Sequence, residues 1–279
     1  MTTSRAVHSQ AFTFMSYLQG GVDPRTGQYT VSLDFPEIKS NWLCGPDFLF
    51  NLNFNPINIL DSGFGLGWNL NLSQFTPHNS ILALSTGETF KVTGSGPEPA
   101  IKEKKLDSFH FYNNQDGTYR VVHKSGLIEV LTVGGSSDDR VALPTRIYAP
   151  SGHGISLTYA SFRGGQRLQT VSDAEGELLR INRPNDSRVE LLIRPYGGPG
   201  GVPLARYEMQ LNGSGWVTAV VLPTADKASW RFDYGNDGPI RGILCLHKVY
   251  TPVGGLDTID YQDAGHPYPG GGLAPTCHG

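Results

Sequence analysis

The stretch from Leu143 to Tyr159, LPTRIYAPSGHGISLTY, limits most strongly what this chain can fold into, because its plan occurs again further along. Apolar Ile147 follows polar Arg146, the run ends at Pro150, a Ser-Gly-His-Gly turn comes next, and Ile155, Leu157 and Tyr159 alternate on the way back. Successive side chains of a strand face opposite sides, so the pattern predicts an antiparallel β-hairpin. The plan returns in KVYTPVGGLDTIDY, where Tyr148, Pro150, Gly152 and Tyr159 correspond to Tyr250, Pro252, Gly254 and Tyr261 at a constant offset of 102 (148 to 250, 159 to 261). Looser copies lie between, at Leu179 to Ile193 and Ala219 to Tyr234. Four hairpins on one plan predict an all-β chain of repeated antiparallel β-hairpins forming a curved sheet.

Strand patterns continue upstream. Tyr29, Val31, Leu33 and Phe35 alternate after a turn at Asp23 to Gly27, and Phe48, Phe50, Leu52 and Phe54 do the same in a strand expected over Phe48 to Phe54. Gly63, Gly65 and Gly67, set between Phe64, Leu66 and Trp68, predict a strand crowded on one face. Their spacing is G-x-G-x-G with no helix following, unlike a dinucleotide loop. A hairpin is expected to turn at Thr86-Gly87 and another at Asp116-Gly117, the latter as a type I′ turn. The domain reading is an N-terminal extension over 1–20, one hairpin region over 21–268 with a break near 94–107 and a loop at 197–201, and a flexible tail over 269–279.

The 35 glycines and 19 prolines in 279 residues sit between the alternating runs, as many short strands and tight turns require. A formal charge of −3 offers no broad positive field, which argues against nucleic acid as a partner. No apolar run is long enough for a membrane-spanning helix, and residues 1–19 lack the continuous apolar segment of a signal peptide. Three cysteines, Cys44, Cys245 and Cys277, are read as reduced thiols, two of them buried.

Between the hairpins, Arg167, Leu168, Val171, Asp173, Gly176 and Leu179 stand in the order Arg-Leu-x-x-Val-x-Asp-x-x-Gly-x-x-Leu. With GVDPRTGQYTVSL, GFGLGWNLNL, LSTGE and GLIEVL, this run makes the chain, from about Phe12 to Tyr268, resemble the N-terminal part of a bacterial Rhs or YD-repeat protein. In that family β-hairpin repeats spiral into a shell around a C-terminal toxin or effector, and relatives include shell subunits of insecticidal toxin complexes. The resemblance implies a non-enzymatic segment of a polymorphic-toxin shell. Its expected partners are the remainder of its own shell, an enclosed effector, and secretion-apparatus or toxin-complex subunits. It implies a cytoplasmic origin and export by a route independent of a signal peptide. The Tyr-Asp pair of the repeat is absent, since Tyr159, Tyr234 and Tyr261 precede Ala160, Gly235 and Gln262, and the sequence stops where family members run on, as a truncated product would.

Catalytic, cofactor and metal sites are not expected. The close acidic pairs, Asp138-Asp139 and Asp173 with Glu175, fall in turn-forming sequence, and the eight histidines show no metal-ligand spacing. The rival reading is a carbohydrate-binding β module, in which Trp42 and Trp216, at loop edges, are the candidate glycan contacts. Trp68 and Trp230, in phase with Leu70 and Phe232, are expected in the core.

Overall fold

A computed structural model of the chain describes residues 18–22, 29–57, 61–102, 108–135, 140–236, 244–267 and 273–278. The turn expected at Asp23 to Gly27, the Asp138-Asp139 pair and the extension up to Tyr17 lie outside them. Regular structure among the described residues is β, apart from three-residue 3-10 segments at Asn41–Leu43 and Pro199–Gly201. No helix there is long and apolar enough to cross a membrane.

Strands β1 (Leu18–Val22), β2 (Tyr29–Asp34), β3 (Asn51–Phe54) and β4 (Trp68–Leu70) form a four-stranded antiparallel sheet in chain order. A meander follows in β5 (Gln74–Thr76), β6 (Ile81–Ala83), β7 (Thr89–Thr93) and β8 (Ala100–Ile101). Next come β9 (Phe109–Asn113), β10 (Thr118–His123), β11 (Ile128–Gly134) and β12 (Val141–Tyr148). Antiparallel pairing then continues through β13 (Gly154–Phe162), β14 (Gly165–Ser172), β15 (Glu177–Asn185), β16 (Arg188–Ile193), β17 (Ala205–Leu211), β18 (Val217–Val221), β19 (Ser229–Gly235), β20 (Cys245–Tyr250) and β21 (Leu256–Thr258). Last, β22 (Asp260–Pro267) pairs with β23 (Leu273–His278).

The fork in this ladder is β12. It pairs with β11 along its length, with β13 from Arg146 to Tyr148, and with β5 through Ala142 opposite Phe75. The Asn113 N–H donates to the Pro97 carbonyl at 2.8 Å, tying the end of β9 to the chain before β8 where the sheet closes into a barrel. Phe75, Leu82, Phe109, Phe111, Val121 and Leu131 fill the core between β5 and β12. A larger core forms where the apolar face of β13 to β20 covers the four-stranded sheet. Phe54 lies at its centre, with ring centroids 5.6 Å from Trp68, 6.4 Å from Trp216 and 5.7 Å from Tyr234. Trp68 and Trp230 are both buried there, and burial of such aromatic area is the main favourable contribution to folding.

Some local expectations are corrected. Phe48, Phe50, Leu52 and Phe54 are all buried, but the strand expected over Phe48 to Phe54 is regular only from Asn51, and Phe48 makes a single bridge with Ile38. Pro36 has no N–H to offer and interrupts the partner strand, so alternation persists where the ladder does not. The turn after Asp116 is not type I′, which needs positive φ at both central residues; Gln115 (φ 62°) and Gly117 (φ 86°) adopt it and Asp116 does not. Asp116 Oδ1 accepts from the Thr118 N–H at 2.9 Å and from its hydroxyl at 2.6 Å, bonds that fix the turn locally and hold this exposed carboxyl below its usual range. Cys245 is buried but Cys44 is exposed, and Cys277 falls where side chains are not described.

The alternate glycines are not in a strand. Residues 61–67 form an irregular bend in which Gly63, Gly65 and Gly67 have φ of 93°, 103° and 79°. At Gly65 a Cβ would stand 2.7 Å from Val217 Cγ2 and 3.1 Å from the Gly215 carbonyl oxygen, so both backbone and space demand glycine. Gly65→Val should lower unfolding free energy by more than ~1 kcal/mol, from left-handed strain and overpacking together. Urea denaturation is the check, and an unchanged midpoint would overturn this placement.

Candidate functional site

The two matched hairpins have the same geometry. In the first, the Ala149 N–H donates to the His153 carbonyl at 2.8 Å and the Gly152 N–H to the Ala149 carbonyl at 2.9 Å, with Gly152 at φ 86°. In the second, Thr251 donates to Gly255 at 2.9 Å and Gly254 to Thr251 at 3.1 Å, with Gly254 at φ 89°. Tyr148 pairs with Gly154, where its ring covers the bare Cα, and Tyr250 pairs with Leu256 and lies under the Arg231 guanidinium at 4.8 Å. Pro150 packs over Gly126, whereas Pro252 closes its strand at the turn.

Toward the open end of each hairpin the two strands part, and a side chain of the returning strand reaches back to a carbonyl at the parting. β12 carries an extra residue, Thr145, between the positions opposite Val130 and Leu131, a β-bulge. The Tyr159 hydroxyl spans the gap and donates to the Pro144 carbonyl at 2.7 Å. β20 has its bulge opposite Asp233 and Tyr234, and the Tyr261 hydroxyl donates to the Leu246 carbonyl at 2.8 Å. In β18 the bulge lies opposite Gln210 and Leu211, and the Tyr234 hydroxyl donates to the Val217 carbonyl at 2.7 Å. The fourth case is β14, bulged opposite Thr158 and Tyr159, where Arg183 Nη1 donates to the Leu168 carbonyl at 3.1 Å. All four acceptor residues are buried, and a buried carbonyl without a donor is costly, so the returning strand supplies one.

Both looser copies are hairpins, Leu179 to Ile193 in β15–β16 and Ala219 to Tyr234 in β18–β19, but of the two only the second carries a bridged bulge. The fourth bridged hairpin is β14–β15, with Arg183 in the tyrosine's place. No tyrosine marks it in sequence, so spacing to the bulge was the only available sign.

The Arg167 to Leu179 motif falls on that hairpin. Leu168 and Leu179 are buried, and Asp173 and Gly176 close the turn through the Asp173 N–H to the Gly176 carbonyl at 3.0 Å. Asp173 also reaches the 3-10 segment between β2 and β3: its Oδ2 accepts from the Asn41 N–H at 2.6 Å and its Oδ1 from Asn41 Nδ2 at 3.0 Å. Burial pushes its carboxyl up, but the bonds from Asn41, Glu175 and Gly176 outweigh that and leave it below the usual carboxylate range. Arg194 completes the clamp, donating to Asn41 Oδ1 at 2.6 Å and to the Lys39 carbonyl at 2.8 Å.

The two candidate tryptophans occupy different surroundings. Trp42 is 83% exposed, at φ 58°, beside exposed Leu43. Trp216 is half-buried, with its ring 5.3 Å from Tyr234, so it supports the core. A polar cluster that the sequence did not reveal lies elsewhere: buried Glu129 accepts from Ser73 Oγ at 2.8 Å and meets His123 Nε2 at 2.6 Å on the same oxygen. The carboxylate stands between serine and histidine, whereas a nucleophilic triad needs the histidine there. Its geometry is that of a tie between β10, β11 and the segment before β5.

No family model matches the chain, and no match was found among curated proteins. Among solved structures the chain is similar to one chain in the crystal structure of TcdB2-TccC3, with a TM-score of 0.41 and 12% identity, covering 88% of this chain. It spans 17% of that chain's length.

Tyr159→Phe should cost roughly 1–3 kcal/mol near neutral pH, because the Pro144 carbonyl loses its donor. Burial pushes the Tyr159 hydroxyl above its ordinary 10.0, with the Glu129 carboxylate adding to the effect. The unfolded chain therefore releases this proton first, so the contribution is complete below pH 10 and declines as pH rises above it. The gap in unfolding free energy between wild type and Tyr159→Phe should narrow from pH 7 to about pH 10.5; a constant gap would contradict the assignment. Asp173→Ala should cost roughly 1–3 kcal/mol by freeing Asn41, while Glu175→Ala in the same turn should stay within about 0.5 kcal/mol. Equal effects in denaturant melts would remove the clamp.

Proposed function

We propose that the chain is a non-enzymatic wall segment of an Rhs-type shell that encloses, and helps deliver, a toxin or effector encoded downstream. The observation that carries this reading is the bridged hairpin, which recurs at Pro144, Leu168, Val217 and Leu246. Such a unit performs no chemistry; it makes a ladder that can be lengthened hairpin by hairpin while each parted carbonyl stays satisfied. On this reading its partners are the rest of the same shell, the enclosed effector, and secretion-apparatus or toxin-complex subunits met on the way out of the cytoplasm. An antibody raised to this chain should detect, in source cells, a polypeptide far above 30.3 kDa whose C-terminal part resists added protease until the shell is opened. A native species at 30 kDa, or a fully protease-sensitive C-terminal part, would overturn the proposal.

Exposed Trp42, flanked by exposed Leu43, favours one second reading, a carbohydrate-binding surface. A glycan array separates the two: a sugar bound by the isolated chain and lost in Trp42→Ala supports the second reading, and no binding supports the first.

The four-stranded sheet ends at β1 and β4, and edge strands offer unpaired backbone groups to other chains. The isolated chain should therefore self-associate with rising concentration in light scattering at tens of micromolar. A monodisperse monomer would count against an open wall.

A further inference from the structure

A cavity of about 670 Å³ opens between the bend at Asp61 and the turn that joins β13 to β14. Its size falls within the range of small-molecule sites. Phe64 and Leu70 supply apolar wall, and Arg163 and Arg167 supply charge. The carboxylate present is already engaged: Asp61 Oδ2 accepts from Arg163 Nη1 at 2.6 Å, and Oδ1 accepts from the N–H groups of Gly63 at 2.7 Å and Gly65 at 3.2 Å. Arg167 is left with one long bond, from Nη1 to the Gln166 carbonyl at 3.4 Å, while its Nε is buried without a partner.

Arg183 stands close behind. A Cβ on Gly63 would touch both the Arg183 guanidinium, at 2.7 Å, and Arg167 Cδ, at 3.1 Å. Arg183 has a structural task, donating Nε to the Gly63 carbonyl at 2.8 Å and Nη1 to the Leu168 carbonyl, and it lies over the rings of Phe64 and Phe162. Its Nη2 is nevertheless buried without a partner. Arg163 is thus paired with Asp61 and, through Nη2, with Asp186 at 3.4 Å, whereas Arg167, whose guanidinium packs against Gly165, forms no ion pair with either carboxylate. Buried donors are normally paired, and guanidinium forks suit the oxygens of carboxylates and phosphates.

We infer that this cavity binds a small organic anion, with its carboxylate or phosphate head on Arg167 and Arg163 and its apolar body against Phe64 and Leu70. The bound head supplies acceptors to the Arg167 guanidinium, whose one hydrogen bond is the long one to Gln166, in a setting where water is partly excluded and charge-assisted bonds are strong.

The test uses the purified chain at low salt with phenyl phosphate, phenylacetate and inorganic phosphate, followed by calorimetry and thermal midpoint. At least one aryl anion should bind and raise the midpoint, and the two aryl arms decide which head is preferred. Arg167→Gln should weaken that binding by roughly 10- to 100-fold. The same substitution should leave the midpoint of the ligand-free protein unchanged or raised, because it removes like charge beside Arg183. A guanidinium that merely holds the fold together would give the opposite sign. No binding by either aryl anion, full binding by Arg167→Gln, or a lowered ligand-free midpoint in Arg167→Gln would each overturn the site. Inorganic phosphate binding as tightly as phenyl phosphate would overturn the role given to the apolar wall.

Discussion

The hydrogen bond from a long polar side chain to the carbonyl of a parting strand is the interaction on which the rest of this structure depends. A continuous ladder of short hairpins must twist, and a bulge concentrates that twist at one residue while separating the hairpin's strands beyond it. The separation leaves a carbonyl facing a hydrophobic interior. Tyrosine answers with a rigid apolar ring that fills the gap and one hydroxyl at its far end, as at Tyr159, Tyr234 and Tyr261. Arg183 reaches the same kind of carbonyl with a charged group, and burial, with Arg167 nearby, pushes its guanidinium down to about 10. The rings of Phe64 and Phe162 receive part of that charge.

The ladder's apolar face covers the four-stranded sheet. That docking is fixed at the margin by directional bonds, Asp173 and Arg194 to Asn41, and Leu66 N–H to the Gly215 carbonyl at 2.9 Å. Between them the aromatic rings around Phe54 and Phe35 exclude water. In the glycine bend at residues 61–67 a Cβ would meet the ladder at Gly63 and Gly65 and the Phe54 ring at Gly67, which is why side chains are excluded there.

Polar groups buried in this chain serve mainly to connect elements, as Glu129 does with Ser73 and His123. The arginine-lined cavity departs from that economy. It has more cationic donors than the surrounding protein satisfies, and it lies where the sheet, the bend and the β13–β14 turn meet. The ladder can carry such a recess because it is the Arg167 side chain, not its backbone rung opposite Ala160, that faces the cavity.

Local pattern was legible wherever period two and turn chemistry acted within a dozen residues. The hairpins ending in Tyr159 and Tyr261, their Gly152 and Gly254 turns, the buried faces of β2 and β3, and the core positions of Trp68 and Trp230 all follow from alternation and from residues that tolerate positive φ. Sequence similarity could not reveal that Arg183 takes a tyrosine's place, because guanidinium and phenol share only the ability to donate at a distance. Nor could it show that the glycines at 63, 65 and 67 form a bend, since extended and left-handed glycine look alike in sequence. The partners Asn41 for Asp173 and Asp61 for Arg163 are 132 and 102 residues away, and the cavity exists only once those segments meet. The sequence by itself determined the all-β character and the repeating hairpin, because both are set by neighbours along the chain. Tertiary structure alone decided which strands part, which carbonyls need a donor and where charge is left unpaired, because those depend on what burial removes from water.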